Sequence, residues 1–258
     1  MTVLPYLRIL LVTAAIAVSA PAAALQICVE EQPLIPLTNA GKEPQGYAEI
    51  LVKDAARALG ITVDEVVAPW TRCQKMVASG FYDAVFNMTY AGTNKTLGAF
   101  PMTQADTPDT TKAAGLYLSY LFRRVGSTAD LIDGKIVNTT KPVAIQASYQ
   151  LHRDLIQGLG WTVVEIPNLA SQMAEMLAAG RVDLVAGDFA MQREVELKYK
   201  TILEPLPTPL SGSFVYLVFS KKYYQANRET VERFWTEMAR IRHSPDYEAE
   251  ISKIDFNR

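Results

Sequence analysis

LGITVDE at residues 59–65 recurs as LGWTVVE at residues 159–165, and MVASGFYDAVF at 76–86 recurs as MLAAGRVDLVA at 176–186. Ten of these eighteen aligned positions are identical, and both pairs are offset by one hundred residues. One such match could be an accident, but two in the same register indicate two copies of one structural unit. The chain of 258 residues is long enough for two such units.

Each copy alternates apolar, strand-like segments with helical patterns. The predicted strands are 25–29, 61–67, 82–86, 143–146, 161–166 and 182–186, and the predicted helices are 46–59, 70–79, 148–159 and 169–179. Strands separated by helices of this length run parallel with right-handed crossovers, and Gly60 and Gly160 are placed to end helices. We therefore predict two similar α/β lobes whose strand ends face a shared cleft that closes on a small ligand.

The C-terminal part of the chain exceeds what a duplication needs. Residues 214–220 form an apolar strand pattern, and a helix is predicted from a cap at Asn227 to about Arg242. One face of that helix carries a stripe of large apolar side chains, namely Val231, Phe234, Trp235, Met238 and Ile241. We expect this stripe to pack on a lobe, with the chain crossing back to complete the first one.

Composition excludes several classes of function. Lysine and arginine number 25 against 27 acidic residues, so no basic face for nucleic acid is indicated. Two cysteines and two distant histidines do not make a zinc site, and no phosphate-binding loop or hydrolase motif is present. We expect no metal and no cofactor. His152 lies on a polar helix face and is interpreted as a surface residue.

Residues 1–24 have the features of a signal peptide. Arg8 precedes an apolar stretch from Ile9 to Ala20, and small residues follow to Ala24. The stretch is shorter than the roughly 20 residues that span a bilayer, although an uncleaved anchor is the alternative. We expect a cleaved leader and a soluble mature protein in the periplasm. Outside the cytoplasm Cys28 and Cys73 are disulfide candidates, and two buried free thiols are the alternative.

The chain resembles periplasmic solute-binding proteins of the family-3 type, the receptors of polar amino-acid ABC transporters. The resemblance covers residues 25–258 and depends on the order and spacing of short motifs. They are Gly46-Tyr47, Leu59-Gly60, Pro69-Trp70, Gly80 with Asp83-Ala84, Gly180-Arg181-Val182-Asp183, residues 216–221, Phe234-Trp235 and residues 242–245.

This resemblance implies a type II periplasmic-binding-protein fold, α/β with parallel-type sheets and a hinge. It places lobe 1 at residues 25–115, lobe 2 at 116–211 and a return to lobe 1 at 212–258, with hinge crossings near 112–120 and 207–215. It also implies a monomer that delivers a small polar, amino-acid-like solute to a membrane ABC permease. A sensor that reports the solute to a membrane kinase is a further alternative.

The resemblance also implies positions for the ligand groups. Where relatives hold an α-carboxylate with arginine, this chain has Lys95, which is either an anion contact or a surface lysine. The helix start at Ser148 offers N–H donors to an anion, or Ser148 is simply a helix cap. Asp188 takes the place of the carboxylate that holds a ligand ammonium, and capping the next helix is its alternative role.

Five further residues are candidates for the cleft. Trp70 would give the ligand an apolar wall and Arg72 a second anion clamp, unless Trp70 lies in the core and Arg72 pairs with an acidic neighbour. Glu30 ends the first strand, and Tyr47 and Asn87 occupy comparable loop positions. These residues together predict an anionic or zwitterionic ligand.

An enzyme is the alternative to a binding protein. Some proteins of this fold that resemble cyclohexadienyl dehydratase are catalysts, which requires a cleft carboxylate with a raised pKa as general acid. Glu30 or Glu31 could take that role, but nothing in the sequence distinguishes either. We therefore expect a binding protein and not an enzyme.

Overall fold

The computed structural model describes residues 24–167 and 170–254. The predicted signal peptide lies outside the described residues except for Ala24. The strands are β1 (Leu25–Glu30), β2 (Val63–Ala68), β3 (Ala84–Thr89), β4 (Gly115–Arg124), β5 (Asp130–Ile132), β6 (Lys135–Val137), β7 (Val143–Gln146), β8 (Val163–Ile166), β9 (Val185–Gly187), β10 (Leu203–Pro205) and β11 (Ser211–Phe219). The helices are α1 (Tyr47–Leu59), α2 (Trp70–Ala78), α3 (Asn94–Leu97), α4 (Gln150–Gly158), α5 (Ala170–Ala178), α6 (Phe189–Glu194), α7 (Lys221–Ala226), α8 (Arg228–Arg242) and α9 (Pro245–Ile251).

The two lobes repeat one strand arrangement. In the first lobe β1 lies between β2 and β3, and in the second β7 lies between β8 and β9, with all four pairings parallel. Val63 of β2 pairs with Leu25, and the equivalent Val163 of β8 pairs with Val143. The two-lobed α/β fold predicted from the internal repeat is confirmed.

Strands β4 and β11 join the lobes. They pair antiparallel through residues 115–119 and 211–215; beyond that, β4 pairs with β9 and β11 pairs with β3. Strand β4 therefore belongs to the sheets of both lobes, and β11 reaches the second lobe through its pairing with β4. The domain boundaries at residues 115 and 211 stay predictions, because the paired strands β4 and β11 run on from one lobe to the other there.

The C-terminal helix α8 completes the core of the first lobe. Its five predicted apolar residues are all buried and share one cluster with α1 and β1. Trp235 is fully buried and donates its indole N–H to Leu217 O at 2.8 Å. The predicted packing of the stripe is confirmed. Asn227 precedes the helix, but its amide donates to Tyr223 O instead of capping α8.

Cys28 and Cys73 form a disulfide that ties β1 to α2, with their Cα atoms 5.5 Å apart. The bridge lies in a buried cluster of the first lobe. The disulfide alternative is thus confirmed over two free thiols. It closes a loop of 45 residues, which in the chain-entropy model stabilises the fold by about 3–4 kcal/mol.

The loop between β1 and α1 is held by one buried carboxylate. Glu49 accepts backbone N–H bonds from Gly46 at 2.6 Å, Gly41 at 2.9 Å and Asn39 at 3.0 Å. Gly46 is required at the helix start, because a Cβ there would lie 2.2 Å from Leu37 O. This arrangement fixes a loop whose residues line the cleft.

Candidate functional site

A cavity lies between the lobes, at the carboxyl ends of the parallel strands. Sheets of this kind bind ligands at this edge, because the strand ends and helix starts leave a crevice there. The first lobe lines the cavity from β1, the following loop, α2, β3 and α3; β4 and the start of α4 line the rest. The lining residues are Glu30, Leu34, Thr38, Trp70, Phe86, Asn87, Thr89, Asn94, Tyr117, Ser148, Tyr149, Gln150 and Leu151.

One hydrogen bond crosses the cavity from lobe to lobe. The Tyr149 hydroxyl, just before α4, lies 3.1 and 3.0 Å from the two carboxyl oxygens of Glu30 at the end of β1. One O–H therefore serves both oxygens. The contact links a residue of the first lobe directly to one of the second.

Glu30 has an unusual acidity for a glutamate. Burial raises the pKa of its carboxyl to about 8, the hydrogen bond from Tyr149 acts against this, and the charges of Asp188 and Glu31 add to it. The side chain is therefore mostly protonated at pH 7. Burial also raises the pKa of the Tyr149 hydroxyl well above its usual value.

A second polar group lies behind the cavity wall. The Tyr117 hydroxyl donates to Asp188 Oδ2 at 3.1 Å and lies 3.3 Å from His152 Nε2, which is 3.0 Å from Ser119 Oγ. All four side chains are buried. The network connects the strand β4 with α4 and α6.

The sequence interpretation of His152 as a surface residue is wrong. His152 lies on the face of α4 that turns toward β4, and only 1% of it is exposed. Burial lowers its pKa to about 4, so the imidazole is neutral at physiological pH. Its Nδ1 has no hydrogen-bond partner among the described residues.

Asp188 caps helix α6, as the alternative interpretation of this residue held. Its Oδ1 accepts the backbone N–H of Ala190 at 2.8 Å and that of Met191 at 3.4 Å. Asp188 does not line the cavity; Tyr117 does, and its hydroxyl donates to the Asp188 carboxylate. Burial raises the pKa of Asp188, while its hydrogen bonds oppose that shift.

Two cavity residues have left-handed backbone conformations. Asn87 has φ +54° and Ser148 has φ +67°, in a region that side-chain-bearing residues adopt at a cost. Asn87 Nδ2 donates to Thr38 Oγ1 at 3.0 Å, and Asn87 Oδ1 is buried without a partner among the described residues. The helix begins after Tyr149, so Ser148 does not have the alternative role of a helix cap. It lies in the turn that precedes Tyr149, whose hydroxyl contacts Glu30.

The predicted site residues fall into two groups. Glu30, Trp70, Asn87 and Ser148 line one cavity. The others do not.

The residues outside the cavity are displaced for identifiable reasons. Arg72 is exposed, because the adjacent Cys73 occupies the buried face of α2. Lys95 is exposed on α3, with its ammonium 5.3 Å from the ring centroid of Tyr90. Tyr47 is the first residue of α1 and does not line the cavity.

Among the lining residues that the sequence did not predict, Tyr117 and Tyr149 carry the hydrogen bonds of the site. Tyr149 directly follows Ser148, in the segment that was expected to face the ligand. The sequence therefore located this part of the cavity, although only Ser148 was predicted as a ligand contact. Tyr117 lies in an apolar strand pattern that carries no local signal for a polar network.

No protein-family model matches the sequence, and no curated protein is significantly similar to it. Similar solved structures include the lysine-complexed binding component of an ABC transporter from Wolinella succinogenes, with a TM-score of 0.68, 14% identity and coverage of 90% of this chain and 97% of that one. The arginine-, lysine-, histidine-binding protein ArtJ from Geobacillus stearothermophilus has a TM-score of 0.67, 15% identity and coverage of 92% and 96%. A histidine kinase sensor domain with similarity to periplasmic binding proteins has a TM-score of 0.65, 19% identity and coverage of 88% and 94%.

Within residues 24–167 and 170–254, no helix is long and apolar enough to cross a membrane. The likeness to the solved structures extends over nearly the whole chain at low identity, which is evidence of a shared fold. The chain thus has the two-lobed fold of type II periplasmic binding proteins.

Proposed function

We propose that this protein is an extracytoplasmic solute-binding protein that captures a small polar solute between its lobes and delivers it to an ABC permease. The observation that carries the proposal is the cavity itself, which residues of both lobes enclose and which the Tyr149–Glu30 hydrogen bond spans. A ligand that contacts residues of both lobes binds the closed form of the protein better than the open form. Its binding therefore shifts the equilibrium toward the closed form.

The similar structures support an amino-acid-like solute. The Wolinella protein is named as a binding component of an ABC transporter in complex with lysine, and ArtJ is named as an arginine-, lysine-, histidine-binding protein. The predicted anion clamps Lys95 and Arg72 lie outside the cavity, so an anionic group on the ligand would depend on the start of α4 alone. The sensor domain of similar fold keeps a membrane kinase as the alternative partner.

A thermal-shift screen followed by calorimetric titration tests the proposal. A ligand raises apparent stability by RT ln(1 + [L]/Kd), so a compound at about 100 times its Kd contributes about 2.7 kcal/mol. We expect at least one small polar solute to raise the melting temperature and bind with one site per chain. If amino acids, amines, organic acids and sugars all leave the melting temperature unchanged, the binding proposal fails.

An enzyme on the same fold is the second candidate, and one observation favours it. Glu30 is a cleft carboxyl that is mostly protonated at neutral pH, as a general acid must be. The two functions differ in the fate of the ligand. Recovery of the bound compound unchanged after prolonged incubation supports the binding protein, whereas steady turnover of a prephenate-like compound, abolished in Glu30→Gln, supports the enzyme.

A further inference from the structure

We propose that the solute is a small organic cation, an amine without a carboxylate, held between Glu30 and the aromatic walls of the cavity. The inference rests on the proposed binding function and names the chemical class of the ligand. It departs from the anionic or zwitterionic ligand that the sequence predicted.

The carboxyl groups at the cavity have no basic side chain beside them among the described lining residues. Glu30 lines it, Asp188 lies behind Tyr117, and none of the described lining residues is a lysine, arginine or histidine. His152 is buried nearby, but burial keeps it neutral. A ligand carboxylate would thus be buried beside two acidic groups with no side-chain cation to pair with, which is costly.

Glu30 and Asn87 offer the cavity acceptor atoms that the described residues leave partly or wholly unpaired. A carboxylate has about four lone-pair sites, and Tyr149 is the side-chain donor that the described structure provides to Glu30. Asn87 commits its amide N–H to Thr38 and leaves Oδ1 buried without a described partner. A ligand that donates several hydrogen bonds, as an ammonium does, satisfies both residues.

Aromatic side chains supply the remaining walls. Trp70, Phe86, Tyr117 and Tyr149 all line the cavity, from both lobes. The negative ring faces attract a cation, most strongly where water is excluded. Their ring faces offer a carboxylate no such attraction.

The start of α4 is the feature that opposes this inference. Its first two residues, Gln150 and Leu151, line the cavity, and the N-terminal end of a helix carries about half an elementary positive charge. That partial charge suits a neutral acceptor on the ligand, such as a hydroxyl or carbonyl oxygen. It is smaller than the charge of a ligand carboxylate and does not offset the burial of that carboxylate beside two acidic groups.

Binding of a cation at Glu30 should release a proton. The titratable groups that face Glu30 are Tyr149, Asp188, Glu31 and, across the cavity, Tyr117, all of which are neutral or negative. The Glu30 carboxyl is therefore mostly protonated below about pH 8, and a bound ammonium favours the ionised form. Affinity for an amine should rise as the pH approaches 8 and then level off.

Matched pairs of compounds test the inference on the unmodified protein. The pairs are agmatine with arginine, cadaverine with lysine, and phenethylamine with phenylalanine, which differ by one carboxylate. Isothermal titration at pH 8 should show at least one amine binding about tenfold or more tighter than its amino acid, as one extra buried unpaired charge predicts. Repetition in buffers of different ionisation enthalpy at pH 7 should reveal proton release.

A variant then assigns the contact. Glu30→Gln keeps the shape of the side chain and should weaken the amine by about ten- to a hundredfold, the worth of a charge-assisted hydrogen bond. Asp64→Asn removes an exposed carboxylate of β2 and should leave affinity unchanged.

The outcomes separate the inference from the function beneath it. Amino acids that bind as tightly as or tighter than their amines, or an amine that binds Glu30→Gln as well as wild type, overturn the cation inference and leave the binding function intact. If no compound of either kind binds, and the wider screen also fails, the binding function falls with it.

Discussion

Removal of one hydroxyl, in Tyr149→Phe, should loosen the contact between the lobes while leaving each lobe folded. The Tyr149 O–H is a single donor shared by the two Glu30 oxygens at 3.1 and 3.0 Å, so the variant loses one hydrogen bond. Such a bond contributes about 0.5–1.5 kcal/mol when its acceptor is neutral and about 1.5–3 kcal/mol when it is charged. With Glu30 mostly protonated at pH 7, we expect a loss of about 1 kcal/mol, which is about a fivefold fall in the ratio of closed to open lobes.

The pH dependence sharpens this prediction. Glu30 ionises as the pH rises through about 8, and the hydrogen bond that Tyr149 donates to it then becomes charge-assisted. The difference between wild type and Tyr149→Phe should therefore be larger at pH 9 than at pH 6.

Small-angle scattering of the ligand-free proteins measures the effect. Tyr149→Phe should have a larger radius of gyration than wild type, and more so at pH 9. Tyr90→Phe, in the first lobe and outside the cavity lining, is the matched control and should scatter like wild type. Superimposable profiles for Tyr149→Phe and wild type at both pH values would refute the reasoning that this bond holds the lobes together.

Three predictions concern stability. Gly46→Ala should lower the free energy of unfolding in urea by about 3 kcal/mol or more, because the new Cβ would lie 2.2 Å from a backbone oxygen. Gly60→Ala has open space around the new Cβ but a φ of +68°, so it should lower that free energy by only about 1 kcal/mol. Equal losses for the two variants would contradict this account. Replacing Cys28 and Cys73 by alanine should lower the free energy of unfolding by about 3–4 kcal/mol, and an unchanged urea midpoint would argue against the bridge. The folded-state pKa of His152 is lowered to about 4, so the stability that its neutral form provides above pH 6.5 is lost as the pH falls toward 4. His152→Gln should reduce this loss of stability at acid pH, and an unchanged pH profile of unfolding would speak against the burial of His152.

The internal repeat carried most of the predictable information about the fold. The spacing of its apolar residues indicates which segments are buried and whether each is a strand or a helix, and this spacing is a local property of the sequence. The predicted helix at 46–59 and strand at 143–146 match the structure within a residue, and Gly60 ends α1 at φ +68°. The stripe on α8 was equally readable, since helical spacing brings its apolar residues to one face.

The site was only partly predictable, because side-chain direction depends on packing that spacing does not encode. Arg72 precedes the buried Cys73 by one residue, and that difference turns it to solvent. His152 was assigned to the surface because its buried partner, Ser119, is 33 residues away in the chain. The turn at Ser148 needs a left-handed residue, and no glycine or asparagine marked it.

Hydrogen exchange measured by mass spectrometry, with and without a saturating ligand from the screen, tests the central claim most directly. If the solute binds in the cavity between the lobes, residues 30–38 of the first lobe and 147–152 of the second should gain protection together. Protection confined to one lobe, or to segments away from the cavity, would contradict the account.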